Sequence, residues 1–174
     1  MSSIFQNPPP INLLFQDGFA NCLARLGNNV TLSGVVSLTT MHSFTLPKGT
    51  LLQPGQTMYV VSRTTRNNSN ATITLTFQTA GVGRGSYTLP IAGTPVVQYL
   101  VGICQRLGAG TLNVSTILFR DIPASLSGGA IVMQGADSAQ GSNLDTSDVL
   151  IEIAAAVNNA GDSITSTLLT AFVI

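Results

Sequence analysis

Histidine is the commonest general base in enzymes, and this chain has one, His42. It stands in Met41-His42-Ser43-Phe44, a strand-like context. A hydrolytic Ser-His-Asp or Cys-His arrangement would need it as base, but such a context favours a structural or surface histidine. No HxxxH or CxxC spacing is present to build a zinc site. Glu152, the one glutamate, falls on the outward phase of another strand pattern. Glycoside cleavage would need a second carboxylate beside it, and no spacing supplies one. Asp137, Asp145 and Asp148, with Ser138, Asn143 and Ser147, offer the hard oxygens that calcium takes, yet in no calcium-loop pattern, so a solvated loop is expected. Gly81-Val82-Gly83-Arg84-Gly85 is glycine-rich. A phosphate cradle needs a helix next, to supply free backbone donors, and Ser86-Tyr87-Thr88-Leu89-Pro90 reads as strand. The expectation is a chain with no catalytic residues, no cofactor and no metal, hence no enzyme. Cys22 and Cys104 read as free, buried thiols of a chain made in a reducing cytoplasm.

The elements that would position these residues are strands. From Val30 onward the apolar period is two. Residues 71–78 alternate without a fault, with Ala71, Ile73, Leu75 and Phe77 inward and three threonines and a glutamine outward. Further strands are expected at 30–38, 41–46, 57–63, 85–89, 95–101, 111–120, 130–134, 149–157 and 163–174, separated by Gly, Pro and Asn turns such as Gln53-Pro54-Gly55 and 66–70. Val149, Ile151, Ile153, Ala155 and Val157 form one apolar face. The last strand is apolar on both sides, Ile164, Leu168, Phe172 and Ile174 against Leu169, Ala171 and Val173, which predicts a central strand or contact with another subunit. Residues 134–147, rich in Gly, Ser and Ala, are expected to be a mobile or partner-ordered loop.

Before Val30 the pattern differs. Pro8-Pro9-Pro10 enforces an extended stretch without backbone donors. Ile11, Leu13, Leu14 and Phe15 follow, apolar enough to lie on something. Asp17 then suits the N-cap of a short helix over 18–26, stopped by Gly27, with Phe19, Cys22, Leu23 and Leu26 on one face. The predicted organisation is an arm with a short helix over 1–29 and one domain over 30–174. The fold class is all-β, an antiparallel β-sandwich of jelly-roll-like kind.

Composition narrows the function. Only 8% of the 174 residues are charged, with 7 Lys and Arg against 7 Asp and Glu. Duplex binding needs several cations along the phosphates, and no basic stretch exists, so nucleic acid is excluded as a partner. No apolar run approaches the ~20 residues of a membrane span, and the N-terminus lacks the basic and apolar regions of a secretory signal. Polarity comes instead from 20 threonines, 16 serines, 12 asparagines and 9 glutamines. Such groups are dried against a protein at far lower cost than ions. The chain therefore reads as one whose surface is largely covered by neighbours, and a homo-oligomer is expected. Arg63 and Arg66, read at a hairpin tip, are candidates to meet a partner carboxylate. Phe172 and Ile174 on the last strand, with Ile11, Leu13, Leu14 and Phe15 of the arm, complete the candidate interaction residues.

The Pro-rich arm, the Thr/Ser/Asn-rich strands at 71–78 and 111–119 and a closing β-hairpin over 149–174 resemble a tailed-bacteriophage capsid decoration (cement) protein. That resemblance is compositional, spans most of the chain and transfers no site residue. It implies a virion structural protein assembled in the host cytoplasm, commonly a trimer, that clamps major capsid protein subunits. Residues 85–121 also resemble the closing strands of a jelly-roll carbohydrate-binding module, which implies a sugar- or receptor-binding role instead.

Overall fold

The computed structural model describes residues 21–108, 110–122, 132–140 and 144–174. Its strands, in chain order, are β1 (Asn21–Leu26), β2 (Val30–Ser33), β3 (Thr39–Leu46), β4 (Thr57–Asn68), β5 (Ile73–Thr79), β6 (Val82–Leu89), β7 (Ala92–Arg106), β8 (Leu112–Ile122), β9 (Val132–Gln140), β10 (Val149–Val157) and β11 (Ser163–Val173). One antiparallel sheet of seven strands runs β1-β11-β4-β7-β8-β9, with β2 also paired to β11. A sheet of four strands, β3-β10-β5-β6, packs against it. The protein is thus an all-β sandwich. Among the described residues no helix is long and apolar enough to cross a membrane.

Alternation puts one phase of each strand into a shared core. Leu75 and Phe77 of β5 and Ile151 and Ile153 of β10 meet the cluster that holds Met58, Val60, Leu100 and Leu118 of the large sheet. Gly102 of β7 leaves room for the Phe77 ring, which a Cβ at that position would strike. Tyr87 of β6 spans the layers, its hydroxyl donating to the Thr116 carbonyl at 2.9 Å. The β5–β6 hairpin closes on Ala80-Gly81, both at positive φ (50° and 75°), the two-residue turn whose twist suits paired strands. The glycine-rich stretch at 81–85 is therefore turn and strand.

Several expectations need correction. Residues 21–26 are strand, not helix, and pair with β11. Leu23 and Leu26 carry a helix-like spacing of three because a β-bulge between Cys22 and Ala24 inserts an extra residue. The open edge of β11 offers ladder partners that outweigh the helical signal. Residues 134–140, expected in a loop, lie in β9 and pair with β8; backbone pairing needs no side-chain alternation to announce it. β4 runs on to Asn68, so 66–68 is strand, hidden because its inward phase turns polar: Ser62, Thr64, Arg66 and Asn68 are all buried. β10 and β11 do not form a hairpin but lie in different sheets. In β11, a bulge between Ser166 and Leu168 switches the phase. Ile164, Ser166, Leu169 and Ala171 are buried, which leaves Leu168 and Phe172 on the outer side. The strand is central, flanked by β1 and β2 on one side and β4 on the other.

The β10–β11 connection is pinned by Asp162. Its carboxylate accepts the backbone amides of Ser69 (2.9 Å), Asn70 (3.2 Å) and Ala71 (2.8 Å) and the Asn70 side-chain amide (3.1 Å). Enclosure pushes its pKa up, but these amides outweigh it and hold the carboxyl below its ordinary value.

Candidate functional site

Among the described residues the chemistry-bearing side chains are not gathered into one site. His42 is buried at 4% exposure on β3 and bridges the sheets. Its Nδ1 lies 3.1 Å from Ser166 Oγ of β11, and its Nε2 lies 2.9 Å from the Asn28 carbonyl. A carbonyl only accepts, so Nε2 carries the proton and Nδ1 accepts from the serine. A serine on a histidine nitrogen is the start of a nucleophile–base pair. Here Ser166 is wholly buried and within 3.5 Å of Ser62 Oγ, so a substrate has no approach to it. The pair satisfies polar groups inside the sandwich.

Asp145, Asp148 and Glu152 are each taken up locally. Asp145 forms an ion pair with Arg106 at 2.6 Å, and Arg106 also donates to the Leu51 carbonyl. Asp148 accepts the backbone amide of Lys48. Glu152 accepts the Thr40 hydroxyl at 2.8 Å across β3 and β10. Asp137 and Ser138 lie in β9, away from the loop expected for them, and Asn143 is outside the described residues. Among the described residues no group of three His, Cys, Asp or Glu side chains is placed to hold a metal. Burial pushes the Cys104 thiol up to about 12, which makes it an inert core group. Cys22 is only half-buried.

The interaction candidates separate. Ile11, Leu13, Leu14 and Phe15 lie outside the described residues. Arg66 is not at a solvated tip: it is 1% exposed, and its guanidinium donates to the Pro90 carbonyl and to Asn68. Arg63 is on the opposite side of β4, half-buried, donating to Thr167 Oγ1 at 2.9 Å. Phe172 shares that outer side and stacks on Tyr59 with ring centroids 5.6 Å apart. Ile174 follows at the end of β11 and is 70% exposed.

Register joins these residues into an outer face of the large sheet. One row crosses the strands as Cys22, Phe172, Tyr59, Ile103 and Ser115. The next holds Arg25, Thr170, Val61, Val101 and Ile117. A third holds Leu168, Arg63, Tyr99 and Phe119. Except for the exposed Arg25, every member is half-buried, in the phase opposite to the core. The rows are mainly apolar and aromatic, and their two charges, Arg25 and Arg63, are both positive. The outer face of the small sheet is different in kind. There Glu152 pairs with Gln78, Ala154 with Thr76 and Ala156 with Thr74, while Thr76 and Ser86 hydroxyls meet at 3.0 Å.

Sequence reasoning missed Tyr59, Val61, Tyr99, Val101, Ile103, Ile117 and Phe119 as members of this face. Their signal was present. Met58-Tyr59-Val60-Val61, Tyr99-Leu100-Val101 and Ile117-Leu118-Phe119 are apolar in both phases, as are strands covered on both sides.

No family model matches the sequence, and no curated protein matches it. Solved structures overlap it weakly, among them the following three. The EclA C-terminal domain, a sugar-binding protein, has a TM-score of 0.40 at 8% identity, over 94% of this chain and 86% of that one. The CBM2 module of the evolved Dit of Lactobacillus casei BL23 phage J-1 has a TM-score of 0.38 at 12% identity, over 75% of this chain and 68% of that one. The structure of infectious bursal disease virus, Gx strain, has a TM-score of 0.24 at 9% identity, over 88% of this chain and 43% of that one.

Proposed function

We propose that the chain is a non-enzymatic structural component of a virus particle, a capsid decoration protein that binds major capsid subunits and sister copies. The observation that carries this reading is the outer face of the large sheet. Its rows set Phe172, Tyr59 and Ile103 beside Val61, Val101 and Ile117 on the side away from the core. Each such side chain gains up to roughly 1.5–3 kcal/mol when fully dried, less here because half of that burial is already made within the sheet. The near absence of charge removes the usual cost of drying a surface. Shell stability then follows from linkage, since whatever binds only the assembled state stabilises it.

Two measurements test the reading. Sedimentation of the pure chain at micromolar concentration is expected to give an oligomer, a trimer by the resemblance. Negative-stain images of purified particles, labelled with antibody to the chain, are expected to decorate the shell. A clean 18 kDa monomer over that range together with unlabelled particles refutes it. A carbohydrate- or receptor-binding module is the second reading, favoured by one specific observation: the rings of Tyr59, Phe172, Tyr99 and Phe119 share this face. Sugars stack on exposed rings, and a glycan array separates the two readings.

A further inference from the structure

Resting on the reading of the large sheet's outer face as a covered surface, we propose that its occupant is the N-terminal segment 4–16 of a second copy of this chain. The segment matches the face in chemistry. Residues 1–16 contain no charged side chain, and Ile4, Phe5, Ile11, Leu13, Leu14 and Phe15 are apolar. The one charge before Arg25 is Asp17. The segment itself therefore sets no like charge against the two arginines in the rows. Two copies meeting face to face would instead set arginine against arginine.

Connection and length supply the second argument. Asn21 pairs with Val173 and Cys22 with Phe172, so the chain enters β1 at the rim of the face, in the row of Tyr59 and Phe172. An extended run from residue 4 to residue 16 spans roughly 40 Å. The five strands carrying the rows span about 19 Å, at about 4.8 Å between neighbours. Pro8-Pro9-Pro10 keeps the run from doubling back. A segment tethered at one rim and longer than its own face is wide reaches an adjacent copy. The prolines also decide for a face over a strand edge. Three residues without an N–H cannot extend a ladder, but they lie flat on side chains without loss.

The test uses full-length chains with Cys22→Ser, so that the buried Cys104 is the one native thiol left. Chains carrying Leu13→Cys are mixed with chains carrying Val101→Cys and oxidised. A disulfide joining the two kinds of chain is expected, well above the product of either alone. In the same background, Val101→Asp is expected to weaken self-association at least about tenfold, with an unchanged circular dichroism spectrum. Three results overturn the proposal. Predominant Val101→Cys homodimers would show that the faces meet each other. An intrachain bond in the monomeric double variant would show that the segment lies on its own sheet. Self-association with no cross-link of either kind would place the contact elsewhere, and would leave the particle reading standing. Absence of any self-association would also sink the proposal, and the particle reading would then stand or fall on the antibody labelling of the shell.

Discussion

Gly102→Ala tests how the two sheets are held together. Gly102 lies on the inward phase of β7, and a Cβ built on it runs into the edge of the Phe77 ring, at three of its carbon atoms. Phe77 is wholly buried on β5, so the ring cannot swing into solvent to make room. One added methyl must therefore push the ring off its rotamer or part the sheets, and overpacking of this kind costs about 1–3 kcal/mol. In a chain of this size each kcal/mol lowers Tm by about 2–4 °C. Urea denaturation of the variant is expected to show a lower midpoint at unchanged slope. Phe77→Leu removes the ring edge and leaves a partial void, itself destabilising by about 1 kcal/mol or more. If the contact is the cause, Gly102→Ala with Phe77→Leu loses less than the sum of the two, a coupling of about 0.5 kcal/mol or more in the double-mutant cycle. Additive losses, or a neutral Gly102→Ala, refute the packing argument.

On β5, Leu75→Asp should unfold the domain by burying an unpaired carboxylate, whereas Thr74→Asp, half-buried on the hydroxyl-rich side, should cost within about 1 kcal/mol; equal damage in thermal melts would show that the small sheet is covered on both sides. Asp162→Asn should lower Tm at neutral pH. Because the folded carboxyl titrates below its unfolded value, its stabilisation is present above the ordinary carboxylate pKa of about 4 and lost as pH falls through the folded value, so the gap between variant and wild type should close in acid. A gap that widens as pH falls would contradict the sign. A thiol reagent at mildly alkaline pH should modify Cys22 and spare Cys104 until the chain is unfolded, and early labelling of Cys104 would show that the core opens.

The sandwich was legible because most of its strands obey a period of two, and Val149 to Val157 reads inward at every second residue, as it is built. What escaped was phase and pairing. The bulge in β11 moves Leu168 and Phe172 to the outside, and no local residue type marks the extra position. The bulge in β1 imitates a helical spacing of three. β9 is strand because β8 has an edge to satisfy, a cause that lies dozens of residues away. Arg66 was misplaced for a related reason. An arginine followed by two asparagines reads as a solvated turn, whereas the sandwich interior at that end is polar and seats it on the Pro90 carbonyl.

The charge deficit and the apolar rows are one property seen at two levels. A β-sandwich places its ionised side chains on two outer faces, since its core admits few. Here the small sheet fills that place with Thr74, Thr76, Ser86 and Thr88, of which Thr76 and Ser86 bond to each other, and with the small side chains of Ala154 and Ala156. The large sheet fills it with Val61, Val101, Tyr99 and their neighbours. With both faces taken, few positions remain for Lys, Arg, Asp or Glu, and 8% charge is the result. Composition could report that charge was missing but not from where. Register supplies the location: it is the large sheet, whose outer rows are mainly apolar and aromatic, with Arg25 and Arg63 as their two ions.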